Sequence, residues 1–249
     1  MSGAFKVVIP ARYASTRLPG KPLINIQNKP MIQWVVEAAQ QSAAEQVIVA
    51  TDDQRIAETV EGFGGVCCMT RNDHTTGTDR IVEVAETMAW TDETVIVNLQ
   101  GDEPAMPAAL IDQCAALLAD SDAELATLAS PLLSEADFRN PNVVKVLCDS
   151  AGYAIYFSRA TIPYPREPSG LQTAIQSALH HHGIYANRCG VLRRLVAAEP
   201  STAEITEQLE QLRALDLGMK IRVGVPDTRP GPGVDTEKDL IAAAQALSQ

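Results

Sequence analysis

The sequence predicts an α/β protein: one Rossmann-like domain over residues 1–249, its sheet mostly parallel, with a smaller β-rich insertion at about 140–190. Three observations carry this expectation. Short β-rich runs alternate with segments of helical period, the strands are apolar almost throughout, and the alternation breaks after about Asn140. Apolar strands separated by helices make βαβ units, whose sheet is covered on both faces.

Strands are expected at Phe5–Ile9, Gln46–Thr51, Val66–Thr70, Thr94–Leu99 and Leu125–Ser130. Between them the apolar spacing predicts helices at Pro30–Ser42, Gln54–Phe63, Gly77–Trp90 and Pro107–Ala119. Pro30 and Pro107 suit a first helical turn, and Asp53 suits an N-cap. After Asn140, "NVVKVLCD" and "YAIYFS", split by Ser150-Ala151-Gly152, read as two antiparallel strands joined by a turn. "TIPYPREPSG" is proline-rich loop. A strand at Gly183–Ala186 follows, then helices at Arg188–Ala198 and Ala203–Leu217, a strand at Lys220–Val225 and a last helix from Thr236.

Charged residues make up 20% of the chain and hydrophobic residues 46%, enough for an ordinary core. A net charge of −11 argues against a nucleic-acid or anionic-membrane partner, since phosphate surfaces need a basic face. No apolar run reaches membrane-spanning length, and no basic segment followed by an apolar one opens the chain. The five cysteines (67, 68, 114, 148 and 189) lack C-x-x-C spacing and read as buried thiols of a reduced compartment. A cytoplasmic protein is expected.

Against that acidity, "VVIPARYASTRLPGKP" (Val7 to Pro22) crowds Arg12, Arg17 and Lys21 into one loop. It is no Walker A loop: Ser15 stands at the first glycine position, and Pro22, where a hydroxyl should bind magnesium, has neither hydroxyl nor N–H. The loop follows the first strand, where open α/β sheets bind ligands. Three cations beside backbone N–H groups suit a polyphosphate, while surface ion pairing is the plain alternative. In "VNLQGDEP", Asp102 ends a strand and suits Mg²⁺, or else a turn. In "GVDTEKD", Asp235 stands in N-cap position before the last helix. Alternation in "HHHGIYANR" puts His181, Gly183 and Tyr185 on one strand face. Spacing puts Glu207, Glu210 and Gln211 on one helix face, usually a solvated one.

"IPARYASTRLPGKPL" resembles the signature loop of the 3-deoxy-manno-octulosonate (KDO) cytidylyltransferases. The similarity continues in order through "KPMIQWV", "VIVATDD", "GTDR", "VIVNLQGDEP", "NPNVVKV", "YFSRATIPY", "HHGIY", "LEQLRAL" and "GVDT". It implies a fold of nucleotide-diphospho-sugar transferase type, and transfer of CMP from CTP to KDO for lipopolysaccharide biosynthesis. It implies that Arg12, Ser15, Arg17 and Lys21 cradle the triphosphate, with Arg71 and Gln100 at the nucleotide. It implies that Asp102 and Asp235 hold Mg²⁺, and that Lys21, Asp102 and Asp235 are the catalytic group. Gln100, Arg159, His181, Tyr185, Glu210 and Gln211 would meet the sugar, and the protein would be a homodimer.

The chain departs from the pattern at His180, usually arginine, and in the aromatic-poor "ANRCGVLRRLVAAEPSTAE". Both lie in the sugar region, so a related 2-keto sugar acid, such as 8-amino-KDO or an acylneuraminate, remains an alternative, as does another sugar nucleotidyltransferase. A non-catalytic nucleotide-binding regulator on the same fold would be expected to lose Lys21 or the acidic pair, and all three are present.

Overall fold

The computed structural model describes residues 4–14 and 18–248. The first strand, β1 (Phe5–Pro10), feeds a loop and a small hairpin, β2 (Asn25–Ile26) and β3 (Lys29–Pro30). Then come α1 (Met31–Gln40), β4 (Gln46–Thr51), α2 (Gln54–Gly62), β5 (Val66–Met69), α3 (Gly77–Thr87), β6 (Val95–Asn98) and α4 (Ala108–Ala119). The second half runs β7 (Leu125–Pro131), α5 (Glu135–Arg139), β8 (Lys145–Cys148), β9 (Ala154–Ser158), α6 (Leu171–Ser177), β10 (Leu179–Arg188) and α7 (Cys189–Ala197). It closes with α8 (Thr202–Glu207), α9 (Gln211–Asp216), β11 (Ile221–Gly224) and α10 (Glu237–Ala246).

Among the described residues the main sheet has nine strands, in the order β11-β7-β10-β6-β1-β4-β5, with β8 and β9 branching from β10. β1 pairs in parallel with β4 on one side and β6 on the other. The chain therefore reverses its winding direction at β1, and the crevice beyond the carboxyl ends of β1 and β6 is a topological switch point. β10 runs antiparallel between β6 and β7.

Alternation along the strands decides what each face meets. Val7 and Ile9 of β1 pack with Ile32, Val35 and Ile111 from α1 and α4. Val8, on the other face, packs with Ile81, Val84 and Leu192 from α3 and α7. Helices therefore cover both faces of the sheet around β1.

Three expectations need correction. The helix predicted over Ala203–Leu217 is two short helices, α8 and α9. Gln208 adopts a left-handed conformation (φ 55°) after α8, so Glu207, Glu210 and Gln211 do not share one helix face. Apolar spacing carried across the break and hid it. Asp235 is not the cap of α10: the neighbouring Thr236 accepts from the Asp239 N–H in a capping box. The strand expected at Gly183–Ala186 is ten residues long, from Leu179 to Arg188. Its polar start, His180 to His182, concealed the true length.

The broken segment is fixed by Arg213. Its guanidinium pairs with the Glu204 carboxylate at 2.6 Å and donates to the Leu195 and Ala198 carbonyls at the end of α7. Arg213→Ala would strand a buried carboxylate, with an expected loss of about 3 kcal/mol in urea unfolding. Adding Glu204→Leu to Arg213→Met should recover part of that loss. An unchanged unfolding midpoint for Arg213→Ala would contradict this assignment.

Candidate active site

Gly20 (φ 68°) turns the loop after β1 so that a short 3-10 helix begins at Lys21. The Lys21 ammonium donates to Asp102 Oδ2 at 2.6 Å, Asp235 Oδ1 at 3.0 Å and the Val234 carbonyl at 2.8 Å. Asp102 comes from the loop after β6, the neighbour of β1. Asp235 arrives from a distant part of the chain, and backbone bonds hold it there: Gly231 N–H donates to the Ala105 carbonyl and Val234 N–H to the Asp102 carbonyl. The glycines of "RPGPG" permit this approach. A Cβ on Gly231 would fall 2.4 Å from the Ala105 Cβ, and one on Gly233 would fall 2.6 Å from a Glu103 carboxylate oxygen.

Two cavities meet at this point. The smaller, of about 440 Å³, is lined by Arg12, Lys21, His74, Arg80, Asp102 and the first turn of α3. The larger, of about 810 Å³, is lined by Arg159, the histidines 180–182, Tyr185, Gln211 and Arg229. Thr76, Gly77, Gln100, Glu210 and Asp235 line both. The smaller cavity is rich in cations; the larger combines polar groups with apolar walls.

In the larger cavity His181 and Tyr185 remain neighbours, their rings 5.2 Å apart, although a bulge with Gly183 at φ 68° interrupts the strand between them. The Thr127 hydroxyl meets His181 Nε2 at 3.1 Å and donates to the Ile184 carbonyl at 2.6 Å. The Tyr185 hydroxyl is buried beside Thr127. Arg159 is held by Glu207, whose carboxylate accepts from the Arg159 N–H at 2.7 Å and from Ser158 Oγ at 2.6 Å. Its Nε donates to the Glu207 carbonyl at 2.7 Å. Glu210 reaches across the mouth to accept from the Thr78 hydroxyl at 2.6 Å.

Burial works against the Lys21 charge, yet Asp102 and Asp235 outweigh it and leave its pKa raised. Glu103 is pushed up to about 8, first by burial and then by the Asp102 and Asp235 charges. It is therefore mostly neutral at pH 7, so the site does not gather three full acidic charges. Desolvation raises the Glu210 carboxyl and lowers His181 to about 3, which keeps His181 uncharged.

The donor set around Lys21 bears on a metal. No group of three or more His, Cys, Asp or Glu converges among the described residues. Mg²⁺ needs no such cage: it binds through one or two carboxylates plus substrate phosphates. Asp102 and Asp235 already face one cationic nitrogen from two sides, so the pair fits a hard divalent ion sharing that space.

Most of the residues expected at a site come together. Arg12, Lys21, Gln100, Asp102, Asp235, Arg159, His181, Tyr185, Glu210 and Gln211 line one or both cavities. Ser15 and Arg17 lie outside the described residues. Arg71 lines neither cavity: its exposed side chain is paired with Asp73 at 2.5 Å. The sequence reading missed Glu207 as the anchor of Arg159, and Asn98, whose carboxamide accepts from Gln100 at 3.3 Å. Asn98 sits two residues before Gln100, and the period of a strand offered that signal.

A switch point, a cationic pocket beside a polar one and a lysine between two aspartates suit a nucleotide substrate, and comparison with known proteins makes the class that of the nucleotidyltransferases. A family model described as cytidylyltransferase matches residues 6–221. The solved structure of a CMP:2-keto-3-deoxy-manno-octonic acid synthetase complexed with CTP is 42% identical, covers 99% of each chain and superposes with a TM-score of 0.89. The chain belongs to the cytidylyltransferase family. A cytidylyltransferase from Leptospira borgpetersenii serovar Hardjo-bovis (strain JB197) is 19% identical over 94% of this chain and 82% of its own, with a TM-score of 0.59. A 4-diphosphocytidyl-2C-methyl-D-erythritol synthase from Anaerococcus prevotii DSM 20548 is 13% identical over 99% of this chain and 100% of its own, with a TM-score of 0.63. These two share the fold alone.

The neutral His181 sets a pH dependence. Its folded pKa near 3 lies below the ordinary 6.5, so the folded state binds fewer protons than the unfolded one. Its contribution is whole above pH 6.5 and declines as pH falls towards 3, by about 1.4 kcal/mol per pH unit. His182 is likewise lowered to about 3, so urea unfolding between pH 7.5 and 5 should show up to about twice that slope, and His181→Gln should remove about one proton's worth of it. A slope that His181→Gln leaves intact would contradict the buried neutral imidazole.

Proposed function

We propose that the enzyme is a KDO cytidylyltransferase: it joins CTP and KDO to give CMP-KDO and pyrophosphate, supplying activated sugar for lipopolysaccharide biosynthesis. The observation that carries this reading is the Lys21–Asp102–Asp235 cluster at the junction of a cationic cavity and a polar one. A 42% identical structure holding CTP supports the nucleotide. A triphosphate suits the smaller cavity, with Arg12 and Lys21 facing its oxygens. The sugar acid suits the larger, where Gln100, Arg159, His181, Tyr185, Glu210 and Gln211 offer donors and acceptors to its carboxylate and hydroxyls.

The reaction is a direct displacement. The C2 hydroxyl of KDO attacks the α-phosphorus, a bond from sugar oxygen to phosphorus forms, the bridge to the β-phosphate breaks and the hydroxyl proton is released. The chain's part is to align the two substrates across the junction and to stabilise charge growing on pyrophosphate. Lys21 is placed for that second task. Asp102 and Asp235 would hold Mg²⁺, which when bound lowers the hydroxyl pKa and polarises the α-phosphate. A cytoplasmic homodimer completes the proposal, on the family resemblance.

Pyrophosphate release from CTP, Mg²⁺ and KDO tests the reading, with an acylneuraminate as the control sugar. Asp102→Ala and Asp235→Ala should each reduce turnover at least about 10²-fold while keeping a cooperative unfolding transition. Pyrophosphate release near the wild-type rate from either variant would refute their assignment. Wild-type turnover of the acylneuraminate but not of KDO would refute the sugar.

A further inference from the structure

Lys145, the first residue of β8, is 0% exposed. Its ammonium donates to two backbone carbonyls, Asn140 at 2.9 Å and Arg159 at 2.7 Å, and to no carboxylate among the described residues. Strand pairing explains the reach: Lys145 stands opposite Ser158 of β9, one position before Arg159, and opposite His180 of β10. Burial pushes the lysine pKa down; the Glu207 charge opposes that shift and the Arg159 charge adds to it. Taking an ammonium out of water is costly, and two carbonyl bonds alone offset that poorly. An apolar side chain would fill the same space at less cost, so the two bonds point to a task.

The task is visible in the Arg159 guanidinium, whose three hydrogen bonds all go to backbone carbonyls. Nε donates to Glu207 at 2.7 Å, Nη1 to Pro141 at 3.1 Å and Nη2 to Gln208 at 3.4 Å. The Glu207 and Gln208 carbonyls are free to accept because the chain turns left-handed at Gln208 and ends α8. The Pro141 carbonyl follows Asn140, which Lys145 grips. Lys145 therefore fixes one prong of this fork and, through the Arg159 carbonyl, the residue that the fork holds. No carboxylate bonded directly to the guanidinium cancels its charge. Three of its five N–H groups are used, which leaves one on each terminal nitrogen without a partner among the described residues. Arg159 lines the larger cavity, and a guanidinium with two N–H groups to spare suits a carboxylate.

We propose that Lys145 is a positioning residue for the sugar acid: by gripping the Asn140 and Arg159 carbonyls it fixes the fork from which the Arg159 guanidinium receives the substrate carboxylate. This rests on the reading of the protein as a KDO cytidylyltransferase. Lys145 lines neither cavity and acts only through Arg159.

Pyrophosphate release, with KDO and CTP varied in turn, tests the role. Lys145→Met should raise the KM for KDO about tenfold and leave the KM for CTP within about twofold of wild type. In an Arg159→Met background the same change should alter kcat/KM for KDO by less than about twofold, because the residue through which Lys145 acts is gone. A lysine that only holds the fold together would not show that dependence. Lys145→Gln, which keeps an amide donor on a shorter side chain, is the second variant and should raise the KM for KDO about threefold or more. A folded Lys145→Met or Lys145→Gln with the wild-type KM for KDO overturns the proposal and spares the function. So does an effect of Lys145→Met that persists undiminished in the Arg159→Met background. Failure of both variants to fold also overturns it, showing a lysine that serves the fold alone. Wild-type protein that does not turn over KDO overturns the proposed function, and the positioning role with it.

Discussion

The structure of this site depends on one ammonium group held between two carboxylates. Lys21 is separated from Asp102 by 81 positions and from Asp235 by 214, so no local preference brings them together. The Lys21 side chain is only 14% exposed, and such a charge is tolerable because its partners are fixed. β1 and β6 are adjacent at the switch point, which places Lys21 beside Asp102. The 231–234 segment then bonds to the 102–105 backbone and delivers Asp235. Remove either of these two supports and the three charges no longer meet.

That arrangement also prepares the site for its ligands. On the proposed reading, a triphosphate would compete for the lysine and a divalent cation for the carboxylates. Both exchanges begin from groups already oriented, so little reorganisation is left for the reaction itself. Glu103 fits the same logic. Crowded by burial and by two aspartates, it is held mostly neutral, and the local balance stays near one cation for two anions.

Much of this was legible in the sequence. The strand from Gln46 to Thr51 and the Asp53 cap stand where apolar runs and capping chemistry place them. Lys21 and Asp102 follow strands, and strand ends are where such sheets place ligands. Asp235 was legible by resemblance alone, since its position depends on tertiary bonds made through glycines 231 and 233. The break at Gln208 was not legible, because a left-handed glutamine carries no residue-level signal and the apolar spacing runs across it. Glu207 escaped for a related reason. Its role is to accept from backbone and hydroxyl groups near Arg159, 48 positions away.

The most direct test of the central claim is the structure of the enzyme with CTP, a divalent cation and an unreactive sugar acid. The account predicts one ion ligated by both Asp102 and Asp235, with the Lys21 ammonium moved onto a phosphate oxygen. An ion bound without Asp235, or Lys21 still bridging the two carboxylates beside an occupied nucleotide pocket, would contradict it.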